Sequence, residues 1–581
     1  MNVHGNVGIE DGYFGNYVQV DKDEYAFNPR GRAVFVDGCI RKLETGQEKL
    51  KLRYVSNTEE QAFLTIDRGE LVRSSAPKFL SHGMDAYEEN MPYLIKTIQQ
   101  QESNVEVTYE HDGIGWMEYE GEKIYRGHKL IVPKEMHLKS TYSGNFDIVP
   151  KGSPKKYLQM LKDEVVGTVQ LEFALCMGVS SIVTGYFSHE LGFESFMYSI
   201  AAESSTGKTS AGQLAVSVSS NPTLSANSLM TTWNNTTNYQ MAMLRGNRGM
   251  MVLFDESSTL GKRDITNTIY DFTGGKERGR MSKDLSLADT GTWCTTFMST
   301  GEGSLKSYVK QNSGIRVRLF ESLNETWTRD ARNADAIKQC VTENYGFVGL
   351  IIAKYLVNED YEVAKKAYYE NVQFYLDGLE TKDEFSDRIA KKLATILYSV
   401  DLLDKLLKLK IDKEQMREFL IKQQNSDEEE KDLGLKAYDY ILEVVASNIN
   451  KFYRKMKSQY TGLIEEVIPK GEVWGKLDIR TKDGKRVEEI VFIPHYLHEV
   501  LKNGGFTNPS TIMKKLKEKG LLDFEEGKYR RKRKLPHTKS EISVYCILVE
   551  YAEEDTSSTR RKRIEEYKRA QQMITEIFDE D

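Results

Sequence analysis

The stretch Phe196-Met197-Tyr198-Ser199-Ile200-Ala201-Ala202-Glu203-Ser204-Ser205-Thr206-Gly207-Lys208-Thr209 joins an apolar run to a tight polar loop and then to the start of a helix. Backbone N–H groups in such a loop point inward, and the helix N-terminus adds a partial positive charge. The order therefore predicts a binding loop for the phosphates of ATP. Its residues are Ala202, Glu203, Ser204, Ser205, Thr206, Gly207, Lys208 and Thr209.

Two side chains of this loop have predicted roles. Lys208 is expected to reach the β- and γ-phosphates, and the Thr209 hydroxyl to ligate Mg²⁺. Ala202 stands where this motif usually begins with glycine, and its small side chain is compatible with the loop. Gly-Lys occurs six times in the chain, and only at Lys208 is it followed by Ser or Thr.

A second apolar run, Met250-Met251-Val252-Leu253-Phe254, ends in two carboxylates, Asp255 and Glu256. Taken alone, such a pair is usually a solvated strand end. At this distance from a phosphate loop, it predicts that Asp255 holds Mg²⁺ through water and that Glu256 polarises the attacking water. The two motifs together indicate an ATP hydrolase.

Two further runs complete the predicted sheet. Residues 294–298 form an apolar strand with a polar tip, and Thr300 in that tip is expected to sense the γ-phosphate. The run Gly314-Ile315-Arg316-Val317-Arg318-Leu319 is predicted to be an edge strand with both arginines on one face. Either Arg316 or Arg318 would then stabilise charge at a neighbouring subunit's nucleotide, and spacing does not separate them. The alternative is an ordinary exposed strand edge.

The rest of the chain divides by composition. Its 581 residues correspond to about three or four domains. Alternating short runs predict a mostly β domain over 1–150, and apolar runs between helical stretches predict an α/β ATPase core over 151–330. A Lys- and Glu-rich helical region follows over 331–470, with one apolar helical stripe expected to be core packing. Residues 551–581 form a charged tail.

Composition narrows the class of protein. The net charge of −7 excludes a uniformly basic nucleic-acid binder, so DNA contacts must come from local basic patches. The five cysteines are far apart without a CxxC pair, which excludes a zinc ribbon and fits a reducing compartment. The N-terminus lacks the pattern of a signal peptide, and no stretch is long and apolar enough to span a bilayer. We expect a cytoplasmic protein with no membrane partner.

Residues 471–550 predict a winged-helix DNA-binding domain. A helix begins near Asn508 and Pro509 and stops at Gly520, with Ile512, Met513 and Leu516 facing the core. The side chains expected to face a DNA groove are Ser510, Thr511, Lys514 and Lys515. The basic run at 528–534, between two strands, predicts a wing tip that binds phosphates through Arg530, Arg531, Lys532 and Arg533.

The order of phosphate loop, Asp-Glu strand, polar strand tip and arginine run resembles that of AAA+ ATPases. The chain also resembles a mobile-element ATPase family long described only as a domain of unknown function. The similar sequence lies at residues 232–237, 253–256, 274–280, 292–293 and 299–302. Within this family, the chain is most similar to the self-loading replicative helicases of staphylococcal cassette chromosomes and pathogenicity islands. The likeness covers roughly 30–325 and includes Gly113-Ile114-Gly115-Trp116.

This resemblance implies a hexameric DNA helicase related to minichromosome-maintenance helicases, using ATP and Mg²⁺ on single- and double-stranded DNA. It implies a hairpin that projects into the ring pore and grips one strand through Lys276, Arg278, Arg280 and Lys283. A solvated basic loop is the alternative for those residues. The expected partners are a replication origin, other copies of the chain, and replication proteins of the same element. Two other functions stay open, namely an ATP-switched origin-binding initiator and a regulator of transcription or transposition, neither of which unwinds DNA.

Overall fold

The protein was analysed as a computed structural model. It describes residues 6–22, 24–261, 263–277, 279, 290–310, 314–431, 433–457, 464–482, 485–506, 509–525, 528–536, 538 and 540–550. The chain forms two compact units, the first made of residues 1–309 and 314–424 and the second of 310–313 and 425–581. The first unit contains both the predicted β domain and the predicted ATPase core, and the division at 424 falls inside the predicted helical region.

The N-terminal part of the first unit is mostly β structure with two helices, α1 (Ala76–Ser81) and α2 (Met91–Glu102). Its strands are β1 (Val7–Glu10), β2 (Tyr13–Asp21), β3 (Glu24–Arg32), β4 (Val34–Lys42), β5 (Glu48–Val55), β6 (Gln61–Asp67), β7 (Val107–His111), β8 (Ile114–Tyr119), β9 (Glu122–Arg126), β10 (Leu130–Ile131) and β11 (Ser140–Tyr142). They form the sheets β1-β2-β3 and β11-β7-β4-β5-β6, and β10-β9-β8 belongs to a third sheet. Alternating apolar side chains of β4 and β5 pack on α2 in a core of their own.

The central sheet of the first unit is parallel and has the order β13-β15-β16-β12-β17. Its strands are β12 (Phe196–Ala201), β13 (Met230–Thr232), β15 (Val252–Asp255), β16 (Thr296–Gly301) and β17 (Leu319–Leu323). β12 and β16 are buried on both faces, which explains their continuous apolar character. The remaining short strand, β14 (Asn247–Arg248), instead pairs with β8 and joins the N-terminal sheet to the core.

Nine helices of the described residues lie in the first unit, around this sheet or after it in the chain, and a tenth begins there and continues past residue 424. They are α3 (Pro154–Met160), α4 (Val169–Tyr186), α5 (Lys208–Ser217), α6 (Thr237–Leu244), α7 (Thr266–Gly274), α8 (Ala331–Glu343), α9 (Phe347–Asn358), α10 (Tyr361–Asp377), α11 (Ser386–Leu407) and α12 (Lys413–Lys431). The predicted apolar stripe lies on α11, where Ile389, Leu393 and Ile396 are buried. Among the described residues, only α4 is long and apolar enough to cross a membrane, and 89% of it is buried inside the protein, as in a core helix.

The second unit combines three helices with a sheet. The helices are α13 (Leu433–Ser447), α14 (Pro494–Asn503) and α15 (Pro509–Glu518), and the strands are β18 (Phe452–Lys457), β19 (Ile464–Val467), β20 (Gly475–Lys482), β21 (Lys485–Phe492), β22 (Leu522–Asp523), β23 (Arg531–Arg533) and β24 (Ile542–Glu550). The sheet order is β19-β18-β20-β21-β24-β22, with β23 paired to β24. Ile512, Met513 and Leu516 of α15 are fully buried, as the sequence predicts.

The chain is therefore a mixed α/β protein, as its sequence predicts. One prediction about the central sheet is wrong. The run 314–318 is a turn, and β17 begins only at Leu319, so Arg316 and Arg318 precede the strand. Ile315 and Val317 are nevertheless buried, because the turn packs against the core, and this produces the alternation that imitates a strand. The predicted tail 551–581 lies outside the described residues.

Candidate nucleotide site and DNA-binding surfaces

The predicted phosphate loop connects the carboxyl end of β12 to the first residue of α5. Gly207 has a φ of +85°, and a Cβ there would lie 2.3 Å from the Thr328 hydroxyl oxygen, so the position requires glycine. The Trp327 N–H donates to the Thr206 carbonyl at 2.7 Å. Trp327 and Thr328, in the segment after β17, therefore pack against the phosphate loop at Thr206 and Gly207. This support was not predicted from the sequence, where its only local signal is a tryptophan shortly after the last core strand.

Lys208 is 9% exposed, and its ammonium group lies inside the loop. Its Nζ donates to the carbonyl oxygens of Ala202 at 2.7 Å and Glu203 at 2.6 Å. These two carbonyls hold the cation at the centre of the loop, where a phosphate would arrive. Thr209, the next residue, is exposed, so its hydroxyl is accessible for a metal ion.

Asp255 ends β15 and Glu256 follows it, at the same edge of the sheet as the phosphate loop. The Thr300 hydroxyl, on neighbouring β16, donates to Asp255 Oδ1 and accepts from the Glu256 N–H at 3.2 Å. Burial raises the pKa of Asp255 above its usual value, and the Thr300 hydrogen bond and the Lys208 charge oppose that rise. The structure thus brings together Lys208, Asp255, Glu256 and Thr300, which the sequence placed in a loop after one predicted strand and at the ends of two others.

The backbone of Glu256 is in the left-handed region, with a φ of +60°. This conformation is unusual for a residue with a side chain and is often found at functional sites. The Glu256 carboxylate is exposed and accepts a hydrogen bond from Ser258. A second carboxylate, Glu302, accepts from Ser204 of the phosphate loop. Neither serine contact was predicted from the sequence.

Arg316 and Arg318 lie at the opposite end of the sheet from the phosphate loop. β12 and β17 are parallel, with Met197 opposite Leu319, and the Met197 N–H donates to the Arg318 carbonyl at 2.9 Å. The turn 314–318 thus adjoins the beginning of β12, whereas the phosphate loop follows its end. Both arginines are therefore placed at the end of β12 away from the phosphate loop of their own chain.

Both arginines have acidic partners within the chain. Arg316 Nη1 lies 2.9 Å from Asp383 Oδ2, and its guanidinium packs over Phe385. Arg318 Nη2 lies 3.6 Å from Glu194 Oε1, and its guanidinium packs over the ring of Tyr270. Distance does not select one of them as the residue that acts on a neighbouring subunit.

Of the predicted hairpin, the structure describes the base. Lys276 pairs with Thr292 in an antiparallel bridge, and the Glu277 N–H donates to the Gly291 carbonyl at 2.9 Å. The Arg245 guanidinium donates to both carboxylate oxygens of Glu277, from Nε to Oε1 at 2.6 Å and from Nη2 to Oε2 at 2.5 Å. Lys276 is therefore placed at the base, and the predicted DNA contacts Arg278, Arg280 and Lys283 lie outside the described residues.

The segment 113–116, singled out in the sequence, supports this base. The Ile114 N–H donates to the Gly246 carbonyl at 3.1 Å, and the Gly246 N–H donates to the Thr292 carbonyl at 2.9 Å. Gly115 has a φ of +80°, and a Cβ there would lie 2.1 Å from the Arg248 carbonyl oxygen. The chain thus forms continuous hydrogen bonds from β8 across β14 to the base of the hairpin.

In the second unit, the basic run does not lie in a loop throughout. Arg531 and Arg533 are on β23 and face inward, where Arg533 Nη2 contacts Glu489 at 2.8 Å and Asp523 at 2.7 Å, and Arg531 contacts Asp523. Lys532, between them, is exposed because strand residues alternate in direction. Two of the three arginines that the sequence assigned to DNA, Arg531 and Arg533, are thus engaged with carboxylates. Lys528, Lys532 and Lys534 are the exposed cations of this run.

The other predicted DNA contacts of this unit differ in exposure. Arg530 packs its guanidinium over the Tyr545 ring at 4.9 Å. On α15, Ser510 and Lys514 are exposed, and Lys515 is half-buried. Thr511 belongs to the same helix, and its side chain lies outside the described part. The exposed side of α15 thus carries a hydroxyl and a cation, both of which are suited to a DNA groove.

Comparison with known proteins finds two family models and one solved structure that match this chain over long stretches. A family model described as a domain of unknown function (DUF927) matches residues 11–288, and a model described as the Cch helix turn helix domain matches residues 432–552. A solved structure described as "SCCmec type IV Cch – active helicase" is 25% identical and has a TM-score of 0.73, covering 94% of this chain and 98% of that one. This chain is similar in fold to that helicase over nearly its whole length.

Two further comparisons give no information about the fold or function of this chain. The C-terminal region of NrS-1, in its A-form apo structure, is 11% identical over 68% of this chain and 91% of that one, and its TM-score of 0.21 is too low to indicate a shared fold. No curated protein matches the chain significantly in sequence.

Proposed function

We propose that this chain is an ATP-dependent DNA helicase that initiates replication of a mobile genetic element. The main support for this proposal is the similarity in fold, over nearly the whole chain, to a solved structure described as an active SCCmec helicase. The placement of Lys208, Asp255 and Glu256 at one edge of a parallel sheet supports an AAA+ core that hydrolyses ATP. The match to a Cch helix turn helix model supports a winged helix in the second unit that binds the origin.

The residues present fit a complex of ATP and Mg²⁺. A buried cation lies in a glycine-dependent loop, and the oxygens suited to Mg²⁺ are the Thr209 hydroxyl and the Asp255 carboxylate. Bound Mg²⁺ supplies positive charge that offsets the charge of the phosphates. On binding, Lys208 exchanges its hydrogen bonds with the Ala202 and Glu203 carbonyls for contacts with phosphate oxygens.

Glu256 is the proposed base for the attacking water. Its side chain is exposed next to Asp255, and its backbone is in the left-handed region directly after β15 ends. It accepts the proton of water as the oxygen approaches the γ-phosphate. Thr300 fixes the two acids relative to each other by bonding the side chain of one and the backbone of the other.

The ring assembly is part of the proposal. Arg316 and Arg318 lie at the end of the sheet away from their own phosphate loop, so either would act on a nucleotide held by a neighbouring subunit. Such an arginine stabilises the charge that develops during phosphoryl transfer. A cyclic arrangement, hexameric in our proposal, gives every subunit both faces of a site. The cytoplasm is the proposed location.

An unwinding assay on forked DNA tests the function. The wild-type protein should separate the strands with ATP and Mg²⁺ and should fail with a non-hydrolysable analogue or with the Glu256→Gln variant. Origin binding without strand separation, under conditions where ATP is hydrolysed, would favour the initiator function that the helix turn helix match also fits.

A further inference from the structure

One buried lysine contacts the backbone of the arginine turn. Lys392 lies on α11, and its side chain is 7% exposed. Its Nζ donates to the carbonyl of Val317, the residue between Arg316 and Arg318, at 2.8 Å. Burying an ammonium group is unfavourable unless its hydrogen bonds and charge are compensated. Packing alone therefore does not explain why a lysine occupies this position.

The charges around Lys392 are unbalanced. Glu194, just before β12, lies 3.4 Å from Lys392, 3.6 Å from Arg318 and 3.7 Å from Arg388. Among the described residues, one carboxylate thus faces three cations, which leaves a local excess of positive charge. Burial lowers the pKa of Lys392 to about 8, which Glu194 opposes and the two arginines reinforce.

The residues just before α11 contact the other arginine of the turn, Arg316. Asp383 and Phe385, immediately before α11, contact the Arg316 guanidinium through an ion pair and a ring face. The beginning of α11 therefore fixes the turn 314–318 at both arginines and at the peptide between them. The phosphate loop of the same chain lies at the other end of β12, so these contacts do not support it.

We propose that Lys392 is a positioning residue that holds the arginine turn 314–318 in place for the nucleotide of a neighbouring subunit. The proposal rests on the proposed ring ATPase. Glu194 keeps Arg318 close to the turn, and the excess positive charge favours transfer of Arg318 to an arriving phosphate. Lys392 itself stays on the Val317 carbonyl and touches no nucleotide.

The test is a comparison of ATP binding with ATP hydrolysis in Lys392→Met, with Lys391→Met as the matched control. Lys391 is the neighbouring lysine on α11, and it is exposed. We expect Lys392→Met to bind ATP like the wild type but to hydrolyse it about 10²-fold more slowly, as for a misplaced catalytic group. Lys391→Met should keep the wild-type rate. A wild-type rate in Lys392→Met overturns the proposal.

Mixing experiments establish where Lys392 acts. A mixture of Lys392→Met with Lys208→Ala creates interfaces that combine an intact phosphate loop with an intact arginine turn, and hydrolysis should reappear there. If this mixture stays inactive while Arg318→Ala mixed with Lys208→Ala recovers, Lys392 acts on its own chain and the proposal is wrong. Full hydrolysis by both Arg316→Ala and Arg318→Ala would instead refute the shared site of the proposed function.

Discussion

The hydroxyl of Thr300 donates to the Asp255 carboxylate and accepts the N–H of Glu256. Thr300 is 2% exposed, so water cannot replace either contact readily. One buried side chain on β16 thereby sets the relative positions of the two acids at the end of β15. The relationship makes the candidate metal ligand and the candidate base a single hydrogen-bonded unit.

Replacing Thr300 with valine should slow hydrolysis while ATP binding persists. A hydrogen bond to a charged group contributes about 1.5–3 kcal/mol, which corresponds to roughly 10- to 100-fold in kcat. The Thr300 bond also lowers the pKa of Asp255 against the effect of burial. Its removal should therefore move the acidic limb of the pH–rate profile to higher pH, since Asp255 must be ionised to hold Mg²⁺. Thr300→Ser, which keeps the hydroxyl, should retain the wild-type profile, and an unchanged profile in the valine variant contradicts the role.

Lys208 and Glu256 should fail at different steps. Lys208→Ala removes the buried cation from the loop and should abolish ATP binding, measured by equilibrium titration. Glu256→Gln keeps the size of the side chain and should bind ATP normally, with hydrolysis slower by about 10²–10⁴-fold. Normal turnover in Glu256→Gln would remove that residue from the role of base.

The arginine turn should work between subunits. Arg318→Ala protein alone should be inactive, and mixing it with Lys208→Ala protein should restore part of the hydrolysis at mixed interfaces. The measurement is the ATPase rate against mixing ratio, with ring assembly followed by light scattering. If assembled mixtures stay inactive, Arg318 is not the residue that acts across the interface, and the same series with Arg316→Ala tests the remaining candidate.

Local sequence patterns were sufficient to predict the strands whose ends hold the candidate site residues. The phosphate loop, the Asp-Glu pair and Thr300 each follow an apolar run, and parallel strands bring their carboxyl ends together. The arginine turn was predicted as a strand because Ile315 and Val317 alternate with polar residues while packing on the core without a partner strand. Periodicity reports burial, and only hydrogen bonding distinguishes the turn from a strand.

Contacts between residues distant in the chain could not be predicted. Lys392 and Val317 are separated by 75 positions, and no local pattern connects them. The basic run 528–534 shows the same limit, because its sequence does not reveal which of its members meet carboxylates on β21 and β22. Strand alternation separates Lys532 from Arg531 and Arg533, but only once β23 is known to be a strand.

Arg533 should contribute to stability, and Lys532 should not. Arg533→Met leaves Glu489, whose side chain is fully buried, with Arg480 as its remaining ion-pair partner at 2.9 Å. We expect a decrease of up to about 3 kcal/mol in the free energy of unfolding. Lys532→Met, on the opposite face of the same strand, should change it by less than about 0.5 kcal/mol. Thermal melting followed by hydrogen exchange of the β24 amides measures both, and equal effects would contradict the inward placement of Arg533.

The two DNA surfaces should also fail differently. Neutralising Lys276, Arg278, Arg280 and Lys283 should remove DNA-stimulated hydrolysis and unwinding and leave duplex binding largely intact. Neutralising Lys528, Lys532 and Lys534 should weaken duplex binding and reduce its salt slope by about 0.9 for each DNA phosphate that the variant no longer neutralises. Basal hydrolysis should survive the second change, because residues 528–534 belong to a different unit from the candidate nucleotide site.

Base specificity should depend on α15 rather than on either basic set. Ser510→Ala and Lys514→Ala should change the preference between origin and unrelated duplex, because side chains that read base edges discriminate sequences and phosphate contacts do not. Salt titrations of duplex and single-strand binding, measured beside unwinding rates, separate the three surfaces. If the wing variant loses unwinding on pre-forked DNA while the hairpin variant keeps it, the division of labour is reversed, because a strand already separated needs no duplex contact for the motor to advance.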